Sequence, residues 1–367
     1  MKIVMLIDTL GYGGGAERQF AGLAMALHNN GYSVKVLAYH NEEGYQNDLK
    51  CAGIDYCILT HKNTQLSKLN AVRRGIFREK PDVVISYKDA PNMAACILKA
   101  SGAKWRLIVS DRNTLQNINR TVKLQYGLLY RFADAIVPNS YAQRDFIVQN
   151  FNHLSKKIHV ITNFTDTDSF KPSDQPRAHN EDAKKRILVV ARIARQKNVH
   201  RFLEVVRLLK PKWEKQIKIT WFGRPNVNEE QYYEKCKHLI VEFGISDIFE
   251  FHKPVIDIER VYREYDLFCL PSLWEGFPNA LCEAMSSGLL VCASDICDNE
   301  HIISDEYNGI LFNPVEIEDM ASKIDWLLSI SEDQKKALVA NARHFALDNL
   351  SIKTFADRYI ELINTIN

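Results

Sequence analysis

A chain of 367 residues is too long for one ordinary α/β core and points to about two domains. Apolar residues make up 46% and charged residues 25%, which excludes a disordered or fibrous chain. The net charge of +2 gives no sign of a nucleic-acid binder, although a near-neutral total can hide local patches.

The first apolar run, from Ile3 to Ile7, is too short for a signal peptide and ends in Asp8 and a glycine loop, so 2–7 reads as a buried strand. Phe20, Leu23, Ala24 and Leu27 recur at helical spacing within 17–29. Runs at 33–38, 82–86, 106–110 and 134–138 continue as strands, a βαβ rhythm that implies a parallel sheet with helices on both faces. Residues 166–185 are polar, with two prolines, and read as a linker. The rhythm restarts with strands at 186–191, 218–222, 249–252, 266–270 and 289–294, and with a helix at 198–210. The chain therefore divides into domains at 1–165 and 186–350, with a helical tail at 351–367 that can pack back toward the first. In such doubly wound α/β folds, ligands bind at the carboxyl ends of strands.

No apolar run approaches the roughly 20 residues of a membrane span. The eight cysteines show no CxxC and no zinc spacing, and read as small buried hydrophobes of a reducing compartment. The expectation is a cytoplasmic chain that can touch a membrane from one side.

Three stretches carry chemistry. In the first, Pro271–Gly288, Pro278 suits a first helical position. A helix from there aims the amides of Phe277, Asn279 and Ala280 at an anion such as a diphosphate. Glu275 and Glu283, eight residues apart, can accept hydrogen bonds from hydroxyls of one elongated ligand. The alternative is two solvated acids, against which stand Trp274, Phe277, Leu281 and Met285 around them. In the second, Arg192 and Lys197 lie in the loop after strand 186–191, where fixed cations suit a phosphate; two solvated loop cations are the commoner fate of such a pair. In the third, Gly13, Gly14 and Gly15 after the first strand allow close backbone approach, but neither a Walker loop nor a clean GxGxxG is present.

In this order and spacing the three stretches resemble the retaining GT-B glycosyltransferases of family GT4. Glu275 and Glu283 match the E-x7-E pattern, Arg192 and Lys197 the phosphate-binding pair, Gly14–Arg18 the glycine loop of the acceptor-side domain, and 286–312 the segment that follows. The resemblance implies two Rossmann-like doubly wound domains facing each other across a cleft, the second holding the nucleotide sugar. It implies that Glu283 binds the donor ribose and Glu275 hydroxyls of the transferred sugar. Arg192 and Lys197 then hold the diphosphate, with the backbone from Gly276 through Phe277 and Pro278 to Asn279. Gly14 and Gly15 pass close to phosphate or acceptor, and the nucleotide's base lies near Gly223, Arg224, Lys253 and Val255. The sequence SDRN, ending in Arg112 and Asn113, resembles members that elongate polyprenyl-diphosphate-linked oligosaccharides, where these two residues meet acceptor or donor sugar; a polar strand-end turn is the equal alternative.

Asp166–Thr167–Asp168 has the DxD spacing of metal-dependent transferases, but it opens the linker, and Arg192 with Lys197 already supplies positive charge. No cofactor and no metal is expected. Over 62–80, Leu66, Leu69, Val72 and Ile76 form one helical stripe, and Arg74 and Arg78 lie off it with Lys62, Lys68, Arg73 and Lys80. Such a helix can lie on an anionic membrane or grip a lipid diphosphate; an ordinary sheet-packed helix with a solvated basic face is the alternative. The resulting expectation is transfer of a hexose or N-acetylhexosamine from a UDP-sugar, with retention, to a glycan acceptor of the polyprenyl-diphosphate-linked kind. A sugar-nucleotide epimerase or an inactive nucleotide-binding partner subunit is the competing expectation.

Overall fold

The structure is a computed structural model that describes residues 1–12, 15–59, 64–112, 117–173 and 184–366. It divides into two compact units, Met1–Phe164 with Ile352–Asn367, and Thr165–Ser351.

In the first unit the strands are β1 (Lys2–Ile7), β2 (Ser33–Ala38), β3 (Asp55–Ile58), β4 (Val83–Tyr87), β5 (Arg106–Asp111) and β6 (Ala135–Pro138). They pair in parallel in the order β3-β2-β1-β4-β5-β6. The intervening helices are α1 (Gly15–Asn29), α2 (Gln46–Cys51), α3 (Gln65–Glu79), α4 (Asp89–Ala100), α5 (Arg120–Leu124) and α6 (Tyr141–Asn150). Alternate residues of a strand face opposite sides. Accordingly Ile3, Met5 and Ile7 enter one core layer, and Val4 and Leu6 the other. Helices cover both faces, so the strands read as continuous apolar runs.

The second unit repeats the plan with β7 (Lys185–Val190), α7 (Val199–Trp213), β8 (Ile217–Phe222), α8 (Glu230–Glu242), β9 (Phe249–His252), α9 (Ile258–Tyr262), β10 (Leu267–Leu270), α10 (Asn279–Ser286), β11 (Leu290–Ser294), α11 (Asn299–Ile302), β12 (Ile310–Phe312), α12 (Ile317–Ser329) and α13 (Glu332–Leu350). Its order is β12-β11-β10-β7-β8-β9. The final helix, α14 (Ile352–Thr365), packs on α1 within the first unit, with Phe355 and Tyr359 in its core.

Two elements differ from the sequence reading. Residues 166–173, the first part of the stretch read as linker, are an ordered strap on the second unit: Phe170 is buried in its core, and Arg343 donates to the carbonyls of Thr167 and Phe170. The short edge strands β3 and β12 lie where no strand was expected.

Among the described residues no helix is long and apolar enough to cross a membrane, and all eight cysteines are free.

Candidate functional site

In each sheet the strand order reverses once, between β7 and β10 in the second unit and between β1 and β4 in the first. Loops leaving adjacent strands in opposite directions open a crevice at such a point. In the second unit, the loop after β7 carries Arg192 and Lys197, and the loop after β10 carries Glu275.

The two loops are fastened together. Lys197 Nζ donates to Glu275 Oε1 at 2.5 Å, and Ser272 Oγ donates to the same oxygen at 2.5 Å. Gln196 Nε2 donates to the Trp274 carbonyl, and the Leu273 amide to the Gln196 carbonyl, both at 2.8 Å. The Lys197 and Glu275 side chains keep only 13% and 9% of their exposure, so the pair is largely shielded from water. Asn198 makes the bend that aims Lys197. Its φ of 58° is left-handed, a conformation asparagine tolerates better than most residues, and its side-chain amide donates to the Pro314 carbonyl.

The start of α10 corrects one expectation. Pro278 has φ −83° and ψ 69°, the inverse γ-turn conformation, and the Asn279 amide donates to the Phe277 carbonyl at 2.9 Å. That donor is therefore turned onto the chain itself instead of toward an anion. Pro278 is the residue before the helix, not its first turn. Glu283 is 7% exposed and accepts from Tyr262 Oη at 3.1 Å; the same hydroxyl lies 3.2 Å from the Ala280 carbonyl. Both glutamates are thus buried and held by hydroxyl groups, unlike solvated acids.

Arg192 is exposed and donates to Asn226 Oδ1 at 3.1 Å. Asn226 in turn donates to Glu229 at 2.7 Å. The Arg195 amide and Asn226, with the fields of Arg195 and Arg192, hold the Glu229 carboxyl below its usual range. Among the described residues no hydrogen bond or ion pair joins Arg192 to Lys197 or Glu275, so the structure brings Lys197 and Glu275 together and leaves Arg192 an exposed cation held by Asn226. Gly223 lies next to Arg192. Its amide donates to the His252 carbonyl, and a Cβ there would stand 1.9 Å from the Ala191 carbonyl oxygen. Gly223→Ala is expected to force β7 and β8 apart, lowering the melting temperature. Gly127→Ala is the control, since a Cβ there meets only Phe151 at 4.0 Å. Equal melting temperatures for the two variants, measured by differential scanning fluorimetry, would contradict that account. Arg224, Lys253 and Val255 are all exposed beyond the ends of β8 and β9.

In the first unit Gly15 opens α1 and is exposed, whereas Gly14 lies outside the described residues, as do Asn113 and Lys62. Arg112 corrects another expectation. Its guanidinium donates to Asn163 Oδ1, Tyr87 Oη and Tyr359 Oη, all at 2.8 Å, and stacks 4.6 Å from the Tyr87 ring. Those donors are spent on internal partners that tie α14 to β4, so Arg112 is a strand-end structural residue. Arg74 and Arg78 are exposed on α3. Its apolar stripe is incomplete: Val72 and Ile76 are buried, but Leu66 is 70% exposed, beside a groove of about 660 Å³ with Phe77 and Arg74 in its wall. In the DxD segment Asp166 accepts from the Asp168 and Ser169 amides and from Ser169 Oγ, a local turn cap.

Ser272, Gln196, Asn226 and Tyr262 were not singled out from the sequence. Their one signal is position, since the first three follow strand ends.

Comparison with known proteins gives the family. A family profile described as "Glycosyl transferases group 1" matches residues 171–345, and one described as "Glycosyltransferase Family 4" matches residues 13–169. The chain is 26% identical over 375 residues to a Campylobacter jejuni enzyme, covering 99% of this chain and 98% of the relative; that enzyme is named GalNAc-alpha-(1->4)-GalNAc-alpha-(1->3)-diNAcBac-PP-undecaprenol alpha-1,4-N-acetyl-D-galactosaminyltransferase. A second enzyme of that organism, named N-acetylgalactosamine-N,N'-diacetylbacillosaminyl-diphospho-undecaprenol 4-alpha-N-acetylgalactosaminyltransferase, is 25% identical over 98% of this chain and 99% of its own. HepE of Anabaena, crystallised with UDP, superposes with a TM-score of 0.84 at 20% identity and full coverage of both chains. The chain therefore belongs to the family 4, group 1 glycosyltransferases, carries the GT-B fold and is a hexosyltransferase.

Proposed function

We propose that the chain transfers a hexose or N-acetylhexosamine from a UDP-sugar, with retention, to a lipid-diphosphate-linked oligosaccharide. The observation that carries the reading is the buried Lys197–Glu275–Ser272 cluster at the crevice of the second unit, with buried Glu283 on α10, the helix that follows Glu275. A carboxylate so held is oriented to accept hydrogen bonds from sugar hydroxyls, and Glu283 can do the same for the ribose. UDP is favoured because HepE carries it at the same fold, and the lipid-linked acceptor because the Campylobacter relatives are named for one.

In the proposed reaction the bond from the sugar C1 to the donor phosphate oxygen breaks as the acceptor oxygen bonds to the same face of C1. The acceptor proton passes to a donor phosphate oxygen, and UDP leaves. The protein supplies positioning and charge. Lys197 and Arg192 stabilise the departing diphosphate, a role that makes a divalent metal unnecessary. The test is incubation of the enzyme with UDP-N-acetylgalactosamine, UDP-N-acetylglucosamine, UDP-galactose or UDP-glucose and an undecaprenyl-diphosphate-linked N-acetylgalactosaminyl acceptor, with EDTA present. An acceptor heavier by one sugar and α-linked by NMR is the expected product. Epimerised nucleotide sugar without glycoside would select the competing activity.

The acceptor's lipid end is assigned to α3. Exposed Leu66 and Phe77 offer apolar contact, and exposed Arg73, Arg74 and Arg78 offer charge to phosphate or an anionic surface. Each arginine near such a surface contributes about 1 kcal/mol. Arg74→Ala/Arg78→Ala should therefore weaken co-sedimentation with phosphatidylglycerol vesicles about 30-fold at low salt. If the unaltered protein stays in the supernatant at low salt, the membrane part of the reading is removed.

A further inference from the structure

The first unit repeats the strand order of the second, and opposite charges again meet at its reversal point. Asp8 follows β1 and Lys88 follows β4, with Lys88 Nζ 3.1 Å from the Asp8 carboxylate. The ammonium also donates to Glu17 in the first turn of α1. Glu17 is 5% exposed, whereas the Lys88 and Asp8 side chains keep 26% and 33%. The buried glutamate is thus the anchor, and Asp8 with the lysine head is the accessible pair. Burial opposes the charge on Lys88, but the Glu17 hydrogen bond and the Asp8 field outweigh it and hold the ammonium above the ordinary lysine range.

Lys88 has φ 71° and ψ 166°, a conformation otherwise reserved for glycine. Such strain persists only where the surroundings over-determine it. A glycine would relieve the strain and lose only the side chain, so the strain maintains the placement of that ammonium. An aromatic surface stands nearby. Tyr12 is 59% exposed and packs edge-on against Tyr45 with ring centroids 4.9 Å apart, and the Tyr45 hydroxyl lies within the fields of Arg18 and Glu17. The Tyr12 loop is fixed by a bridge between Gly11 and Gly44, where a Cβ on Gly44 would meet the Leu10 carbonyl oxygen at 2.0 Å.

We propose that Asp8, Lys88 and Tyr12 form a subsite for one neutral sugar ring of the acceptor glycan. Asp8 accepts from ring hydroxyls, Lys88 donates to a hydroxyl or acetamido oxygen, and the Tyr12 ring packs on the apolar face of the pyranose. Asp8, Glu17 and, around the tyrosines, Asp48 and Glu43 outnumber Lys88 and Arg18, so the place is net negative, which disfavours the acceptor's diphosphate there. The inference deepens the proposed function and rests on it.

Saturation-transfer NMR on the full chain, with UDP present to fill the donor site, tests it. The probes are N-acetylgalactosamine, N-acetylglucosamine, galactose and glucose at millimolar concentration. Saturation is expected on the ring protons of at least one sugar, and inorganic pyrophosphate should not displace it. Asp8→Asn and Tyr12→Ala, both at sites exposed enough to spare the fold, should each weaken binding about tenfold, the ratio for losing one hydrogen bond to a charged group or one stacking surface. The signal is also recorded in a Glu275→Gln background, which removes sugar held at the donor place, and the two first-unit variants should show the same tenfold loss there. Binding that survives both first-unit variants, displacement by pyrophosphate, or absence of transfer to all four sugars would each overturn the subsite. A melting shift with UDP, recorded on the same samples, separates these outcomes from failure of the donor reading itself, which would abolish that shift.

Discussion

Glu275→Gln is expected to lower sugar transfer about 100-fold or more while UDP continues to raise the melting temperature. In the proposed geometry the carboxylate fixes the sugar whose C1 reacts, and misplacing a reacting group by about 1 Å is enough for a loss of that order. The nucleotide's own contacts, Glu283 and the cations Arg192 and Lys197, remain. The measurement is product formation at saturating donor beside a UDP melting curve. Transfer within a factor of a few of the unaltered enzyme would remove Glu275 from the reaction; loss of transfer and of the UDP shift together would mean that the residue holds the fold of the site and not the sugar.

Lys197→Met is expected to have the largest effect on stability. Its partner Glu275 is 7% exposed, and the other residue on that carboxylate oxygen is Ser272, a neutral hydroxyl. Removing one member of a buried ion pair leaves an uncompensated charge, at a cost of about 3–5 kcal/mol. For a domain of this size that lowers the melting temperature by about 10 °C. The double variant Lys197→Met/Glu275→Gln removes both charges and should regain most of the loss, a coupling of more than about 1 kcal/mol. Additive losses in that cycle would contradict a direct pair.

Much of the fold was legible because both sheets are covered on both faces. Strands such as 2–7, 186–191 and 289–294 therefore stand out as short apolar runs bounded by polar turns. The edge strands β3 and β12 did not stand out, since DYCI alternates only weakly and ILF is three residues long. The strap at 166–173 reads as linker because its one buried apolar side chain, Phe170, is surrounded in sequence by polar residues, while the order comes from the carbonyls of Thr167, Ser169 and Phe170, which accept from Arg343 and Arg263.

The site was legible as residue types in spacing, not as contacts. Glu275 precedes α10 and Glu283 lies within it, and their eight-residue separation is visible in the sequence. The contact between Lys197 and Glu275 joins residues 78 apart and requires the strand order, which composition cannot supply. Lys88 gave no signal at all: its partners Glu17 and Asp8 lie 71 and 80 residues away, and its backbone strain is not encoded by any local motif. The role of Arg112 stayed open for the same reason, because the tyrosine that claims it, Tyr359, is 247 residues distant.

The central claim, that a nucleoside diphosphate binds at Arg192 and Lys197 in the second unit, is tested most directly by melting curves with UDP, GDP, ADP and CMP in the presence of EDTA. These are recorded on the unaltered protein and on Arg192→Ala/Lys197→Ala, each variant against its own nucleotide-free curve. A ligand at 100 times its dissociation constant adds about 2.7 kcal/mol of stability, which a melting curve resolves. Selective stabilisation by UDP that disappears in the double variant is the predicted result. A UDP shift of equal size in the double variant, or no shift with any of the four nucleotides, would contradict it.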